Sequence, residues 1–176
     1  MKHFICIILC SLFLSCAGIK RYKNENQKKV SDIKSIEGTY NNMLQDSIKL
    51  YHNSFNGEIN WRKKNRDTTS FETFKISVLN QKFLKIDFFK NDSLAKSRII
   101  KYRLRNNGFV KLRNQNFRVS GIPYLLGEYD IMKYELGLTK DDNLILNGYK
   151  EQAGGLLIVL SSGIAYSVNH VYNRVE

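Results

Sequence analysis

The chain has 176 residues, a net charge of +12 and three cysteines, two of which lie within the first ten residues. This length suits one domain that buries a hydrophobic core, and the scarcity of cysteine in the remaining chain excludes a disulfide framework and a cysteine metal site. The positive charge fits either an acidic partner, such as lipid headgroups or glycans, or a solvated and soluble protein surface.

The first 15 residues have the organisation of a secretory signal peptide. Lys2 provides the positive region, and the apolar run from Phe4 to Leu14 is shorter than the roughly 20 residues that a bilayer-spanning helix needs. The run leads into Phe13-Leu14-Ser15-Cys16, which resembles the bacterial lipobox except that Phe13 stands where leucine is usual. This resemblance implies cleavage before Cys16 and lipidation of Cys16, which would anchor the protein to a membrane through its acyl chains.

Residues 16–35 comprise the lipidated cysteine and a polar, charged and aperiodic stretch, which predicts a flexible tether. The domain is predicted to span 36–176. Some lipoprotein systems use acidic residues directly after the cysteine as a signal for surface export, whereas Ala17, Gly18, Ile19 and Lys20 follow here. By that resemblance we expect the protein to be anchored in the outer membrane and to face the periplasm.

From residue 71 onward, apolar and polar residues alternate with a period near two, which predicts β-strands. Before this region, 36–41 is predicted as a first strand and Gln45 to Phe55 as a short helix. Asn106-Asn107-Gly108 predicts a hairpin turn, and the small residues at 153–155 and 161–163 predict two further turns. The predicted later strands are 71–79, 82–90, 96–105, 109–113, 129–138, 144–149, 156–160 and 164–175.

Sequential short strands favour an all-β fold, an antiparallel up-and-down β-barrel of about eight strands with a short helix after strand one. A two-sheet sandwich is the alternative fold. Gly38-Thr39-Tyr40 on the first strand resembles the Gly-x-Trp motif of lipocalins, with tyrosine in place of tryptophan. Arg174 is the candidate for the basic residue that covers the aromatic ring in that family. The chain thus resembles the small lipocalin-like, calycin-type lipoproteins of Gram-negative envelopes.

The lipocalin resemblance implies an interior cavity for a small hydrophobic or amphipathic ligand, and this is the first functional hypothesis. In such a barrel the inward side chains of the strands line the cavity. The predicted lining residues are Tyr40, Phe74, Ile76, Leu84, Ile86, Phe88, Tyr102 and Leu104.

The second hypothesis is a non-enzymatic envelope protein that uses an external cationic face for interaction. Alternation along the hairpin around Asn106-Asn107-Gly108 puts five cations on one outward face, where they could bind an anionic envelope component. We call these five residues the basic hairpin: Lys101, Arg103, Arg105, Lys111 and Arg113. The competing interpretation is that they are a solvated exterior which discourages pairing between strand edges.

Catalytic signatures are missing from the sequence. Ser161-Ser162-Gly163 lacks the Gly-x-Ser-x-Gly arrangement of a nucleophile elbow, and no set of His, Asp and Glu has metal-ligand spacing. We therefore expect no enzymatic activity, no catalytic residue, no metal and no cofactor. We also expect a monomer that binds no nucleic acid, because the predicted envelope location keeps it away from nucleic acid.

Overall fold

The structure is a computed structural model that describes residues 26–43, 54–59, 71–122, 126–156 and 160–175. The predicted signal peptide, Cys16 and the first part of the predicted tether lie outside these ranges. Among the described residues, no helix combines the length and apolar character needed to cross a bilayer.

The described chain is all-β and antiparallel, with one short helix. The strands are β1 (Gln27–Lys28), β2 (Gly38–Asn41), β3 (Thr73–Val78), β4 (Phe83–Lys90), β5 (Ser93–Leu104), β6 (Val110–Ile122), β7 (Leu126–Thr139), β8 (Leu144–Leu156) and β9 (Leu160–Tyr172). A 3-10 helix (Ile33–Ile36) precedes β2, and helix α1 (Phe55–Ile59) follows it. Strands β2 to β9 form one curled sheet in sequence order, and β1 pairs with β7. The predicted barrel-like β fold of about eight strands is confirmed.

Local side-chain caps explain where the short helices begin. The Asp32 carboxylate accepts a hydrogen bond from the Lys34 amide, which starts the 3-10 helix. Ser54 Oγ accepts from the Gly57 amide at 3.0 Å and caps α1 in the same way. Helix α1 therefore begins at Phe55, where the predicted helix ends, and residues 44–53 of that prediction lie outside the described ranges.

The two ends of the curled sheet meet through the last residues of the chain. The Asn41 amide donates to the Asn173 carbonyl at 2.9 Å, and the Val175 amide donates to the Thr39 carbonyl at 2.8 Å. An antiparallel bridge between Tyr40 and Arg174 lies between these two bonds. We call this contact the seam, because it joins β2 to the segment that follows β9.

On the other side of the sheet, β5 and β6 share only a short described pairing. Their register covers Tyr102 opposite Leu112, Arg103 opposite Lys111, and Leu104 opposite Val110. The rest of β5 pairs with β4, whereas β6 continues along β7 after a register shift that follows Leu112. The two strands therefore separate beyond this short pairing, and a concave surface forms beside the point where they separate.

The core on the inner face is aromatic and closely packed. Helix α1 inserts Phe55, whose ring stacks on Phe74 with 4.0 Å between centroids, and which also contacts Tyr172 edge to face at 5.3 Å. Phe74 in turn lies near Tyr40 and Phe88. These rings are buried, so α1 is a structural part of the barrel interior.

Several predicted strand boundaries differ from the structure, since β6, β7 and β8 are longer than the strands predicted at 109–113, 129–138 and 144–149. The predicted turns at 153–155 and 161–163 are wrong, because β8 runs to Leu156 and β9 starts at Leu160, and these two residues pair directly. Of the predicted strand over 156–160, Leu156 ends β8 and Leu160 begins β9, and residues 157–159 lie outside the described ranges. Small residues make this pairing close: a Cβ atom on Gly163 would lie 2.6 Å from the Ala153 Cβ atom.

The folded unit also begins before residue 36. The sequence suggests a tether up to residue 35, whereas β1 pairs with the end of β7 and Val30 is buried in the core cluster. The Val30 amide donates to the Gly108 carbonyl in the β5–β6 turn. Residues 26–36 are therefore part of the domain and cover one end of the sheet.

Candidate functional site

The end of the sheet covered by residues 26–36 is rich in lysine and arginine. It contains the β3–β4 turn (79–82), the β5–β6 turn (105–109) and the β7–β8 turn (139–143). We call it the basic end. Helix α1 and the turn at 91–92 belong to the opposite half of the molecule.

An open pocket of about 580 Å³ lies at the basic end. Its apolar lining comes from Ile33, Tyr102 and Leu104, and four cationic residues surround these side chains. The cations are Lys82, Lys101, Arg103 and Arg113. The volume is within the range of small-molecule sites, roughly 300–1,000 Å³. The combination of an apolar lining with several cations suits a ligand that has an apolar body and a negative charge.

Tyr102 is held in place by hydrogen bonds at both ends of the residue. Its amide donates to the Lys82 carbonyl at 2.9 Å, and its hydroxyl donates to the Asn80 carbonyl at 3.0 Å. Its side chain is 7% exposed, and burial raises its pKa, with a further increase from nearby Asp32. Tyr102 is therefore a neutral and rigid part of the pocket wall.

The β3–β4 turn positions Lys82. The Asn80 side-chain oxygen accepts hydrogen bonds from the amides of Lys82 and Phe83, at 2.9 and 3.1 Å. This local motif fixes the turn from within and keeps Lys82 beside the pocket. The sequence analysis did not identify Lys82 or Ile33, because each joins the pocket through the fold rather than through a periodic pattern.

The basic hairpin is divided between the pocket and the surface next to it. Arg103 lies opposite Lys111 across the strand pair, as the alternation predicts. Lys101, Arg103 and Arg113 line the pocket, and Arg105 begins the adjacent turn. Burial lowers the pKa of Lys111, and the neighbouring charges of Arg105, Lys133 and Arg113 lower it further. Glu135, which lies opposite Lys111 across the β6–β7 pair, raises the pKa of Lys111 and so offsets part of this effect.

The eight predicted cavity-lining residues share the inner face but differ in their surroundings. Tyr102 and Leu104 line the pocket, whereas the other six are fully buried within the core cluster. Those six are Tyr40, Phe74, Ile76, Leu84, Ile86 and Phe88. The pocket at the basic end is therefore the place where two of the predicted lining residues and three of the basic hairpin residues come together.

The seam carries the aromatic–cation pair that the sequence suggests. The Arg174 guanidinium lies 5.6 Å from the centre of the Tyr40 ring and also donates to the Glu37 carbonyl. The Tyr40 hydroxyl donates to the Ile36 carbonyl at 2.9 Å. Burial raises the pKa of Tyr40 to about 12, although the Arg174 charge acts in the opposite direction. The pair closes the barrel next to the 3-10 helix.

A buried ion pair beneath α1 was not identified from the sequence. Glu58 and Lys150 meet at 2.7 Å, and each side chain is only 5% exposed. The Tyr134 hydroxyl points to the same carboxylate at 3.4 Å, and the Lys150 ammonium lies 5.5 Å from the centre of the Tyr166 ring. Because Glu58 and Lys150 are far apart in sequence, no local pattern could have paired them.

Within the described residues, no group of three or more His, Cys, Asp or Glu side chains is arranged to hold a metal ion. Comparisons with family models, with curated proteins and with solved structures found no match to this chain. The candidate site therefore has to be interpreted from its own geometry and charge.

Proposed function

We propose that the protein is a lipid-anchored, lipocalin-like envelope lipoprotein that binds a small anionic amphipathic molecule at the basic end. The observation that supports this proposal best is the pocket of about 580 Å³, which is lined by three apolar or aromatic residues and four cationic residues. A lipocalin-like barrel would present its ligand site at the mouth of the barrel, and the pocket lies at the end of the sheet that carries the β3–β4 and β5–β6 turns.

The chemistry of the pocket matches both parts of such a ligand. Ile33, Tyr102 and Leu104 offer apolar contact to an acyl chain or ring. Arg103 and Arg113 can form paired hydrogen bonds with a carboxylate or phosphate, which are stronger than bonds between neutral groups. The pocket is open to solvent, so we expect salt to weaken the charged contacts.

The anchor rests on the sequence around Cys16. An apolar signal that ends in a lipobox-like motif supports lipidation at Cys16 and an outer-membrane location facing the periplasm. Replacement of Cys16 by serine should move the protein from the membrane fraction to the soluble fraction. Membrane retention of the Cys16→Ser protein after a high-salt wash would contradict the anchor.

The alternative is a non-enzymatic protein that binds an anionic envelope component through the basic hairpin surface. The basic hairpin favours this alternative, since its exposed Arg105 lies outside the pocket lining. The two functions differ in what they need from the apolar wall. Ligand binding requires Tyr102 and Leu104, whereas surface binding requires only the charges.

Titration calorimetry with dodecanoate and with uncharged dodecanol tests the pocket directly. We expect the full-length protein to bind dodecanoate more tightly than dodecanol, and Arg103→Ser/Arg113→Ser to weaken dodecanoate binding by about tenfold or more. Leu104→Asn should weaken both ligands, because it places a polar group in the apolar wall.

The matched control is Lys75→Ser/Lys90→Ser, which removes two exposed cations that are not in the pocket lining. This variant should bind dodecanoate like the parent protein. Equal loss of binding in both double variants, or no dodecanoate binding by the parent, would contradict a pocket function. Loss with the arginine variant but not with Leu104→Asn would favour the surface alternative.

A further inference from the structure

Exposed cations are concentrated in the turns of the basic end and not only in the basic hairpin. They include Lys29, Lys34, Lys82, Arg103, Arg105 and Lys140. The described carboxylates in the N-terminal segment and the turns of this end are Asp32, Glu37, Asp141 and Asp142. Two of these are already engaged, because Asp142 pairs with Lys28 at 3.0 Å and Glu37 accepts from the Val78 amide. The basic end thus carries an excess of positive charge.

The N-terminal segment leaves the fold at this same end. The Lys140 amide donates to the Asn26 carbonyl at 2.6 Å, and Gln27 and Lys28 pair with Thr139 and Leu138. The first described residue is therefore fixed beside the β7–β8 turn. An anchor at a residue that precedes Asn26 in sequence is therefore connected to the folded domain at the basic end.

The length of the segment between Cys16 and Asn26 limits how the anchored protein can be oriented relative to the membrane. Nine residues lie between Cys16 and Asn26, so the connection of ten Cα–Cα steps reaches at most about 35 Å when fully extended. A strand of the length of β8 (Leu144–Leu156) extends over roughly 40 Å at 3.3 Å per residue, which is about 30 Å along the axis of a barrel whose strands tilt by about 40°. Turning the opposite half of the molecule toward the bilayer would therefore need an almost fully extended connection, whereas the basic end can approach without strain.

Because the N-terminal segment leaves the fold at the cationic basic end, we propose that the basic end docks onto an anionic phospholipid bilayer surface. This proposal rests on the lipid anchor of the proposed function. Lysine and arginine side chains near an anionic membrane each strengthen binding roughly fivefold, and the effect declines within a Debye length of about 10 Å in 0.1 M salt. The anchor holds the cations within this range. The pocket then opens at the level of the lipid headgroups.

Energy transfer from two single labels to a headgroup acceptor tests this orientation. The mature lipoprotein offers no free thiol, since Cys6 and Cys10 lie in the predicted signal and Cys16 is lipidated. Asn106→Cys places a donor dye at the basic end, and Ser93→Cys places one at the opposite end of the sheet, both at exposed positions. Each lipidated protein is reconstituted into vesicles of phosphatidylcholine, with or without 30% phosphatidylglycerol, which contain an acceptor-labelled lipid.

In vesicles with phosphatidylglycerol, we expect at least twofold higher transfer efficiency from the Asn106 label than from the Ser93 label. The difference should shrink in phosphatidylcholine alone and in 0.5 M salt. Arg105→Ser/Lys140→Ser, which leaves the pocket lining intact, should also reduce it. Lys75→Ser/Lys90→Ser should not reduce it.

Equal transfer from the two labels in anionic vesicles would overturn the docking proposal. A difference that is unaffected by lipid charge and by Arg105→Ser/Lys140→Ser would overturn it too. In either case the protein would still be membrane-bound if the anchor is correct, and dodecanoate binding would be unchanged. Failure of the docking surface is thereby distinguished from failure of the proposed function.

Discussion

The basic end and the interior beneath α1 use the same residue type in opposite ways. At the basic end, Lys101 and Arg103 are exposed, so their charges remain hydrated and available to a partner. Beneath α1, Lys150 is removed from water and lies 2.7 Å from Glu58. The comparison teaches that exposure decides whether a cation serves binding or structure, because a buried charge is tolerated only with its counter-charge.

Removing the ammonium group of Lys150 should have the largest effect on stability. Lys150→Met leaves the Glu58 carboxylate buried without its cation, so we expect the free energy of unfolding to fall by about 3–5 kcal/mol. Urea denaturation followed by circular dichroism measures this change. A loss below about 1 kcal/mol would show that Glu58 does not depend on Lys150.

Two controls sharpen this contrast between buried and exposed charge. In Glu58→Leu/Lys150→Met both charges are absent, so most of the lost stability should return. Lys90→Met removes an exposed cation at the end of β4 and should change stability by no more than about 0.5 kcal/mol.

A substitution at Gly108 should have an intermediate effect confined to the basic end. Gly108 has a φ of +80°, and an added Cβ atom would lie 2.5 Å from Lys29 Cγ. We expect Gly108→Ala to cost about 1–2 kcal/mol from the backbone conformation alone. Hydrogen exchange at the Val30 amide, which bonds to the Gly108 carbonyl, should accelerate.

The second substitution Lys29→Ala separates the two causes. In Gly108→Ala/Lys29→Ala the side-chain clash at Lys29 Cγ is relieved, whereas the close backbone contacts at Lys29 and Val30 and the unfavourable φ of Gly108 remain. We therefore expect partial recovery. Unchanged exchange at Val30 in Gly108→Ala would show that docking of the N-terminal segment tolerates a side chain at this turn.

The smallest effect on stability should come from replacing His170, which interacts electrostatically with both residues of the buried ion pair. Burial lowers the pKa of His170 below the usual 6.5, Glu58 raises it and Lys150 lowers it. Below about pH 6.5 the unfolded chain therefore binds more protons at this residue than the folded chain, and stability is lost as the pH falls. Between pH 7.5 and 5.5 the melting temperature of His170→Gln should decline less than that of the parent protein. An identical decline would exclude His170 as a contributor.

The strands of the barrel could be predicted because each side chain of a half-buried strand faces either the core or solvent. The errors at 153–155 and 161–163 have one physical cause. Glycine supplies both turns and close packing between strands, and sequence alone does not separate these roles. Gly148 shows the second role, since a Cβ atom there would meet the Tyr134 ring at 2.7 Å.

The candidate site could be predicted only where its residues belong to one hairpin. Alternation places Arg103 and Lys111 on the same face, and their register agrees. Ile33 and Lys82 come from separate segments, and Glu58 meets Lys150 only after α1 has entered the barrel. Such contacts depend on the three-dimensional path of the chain, which periodicity does not contain.

The seam affects the order in which the strands of the sheet can pair during synthesis. β2 is among the first segments to be synthesised, yet it obtains one of its neighbours from residues 173–175. A nascent chain must therefore keep that edge of β2 open until residues 173–175 have been synthesised. The seam therefore forms only after all the strands between β2 and residues 173–175 have been synthesised.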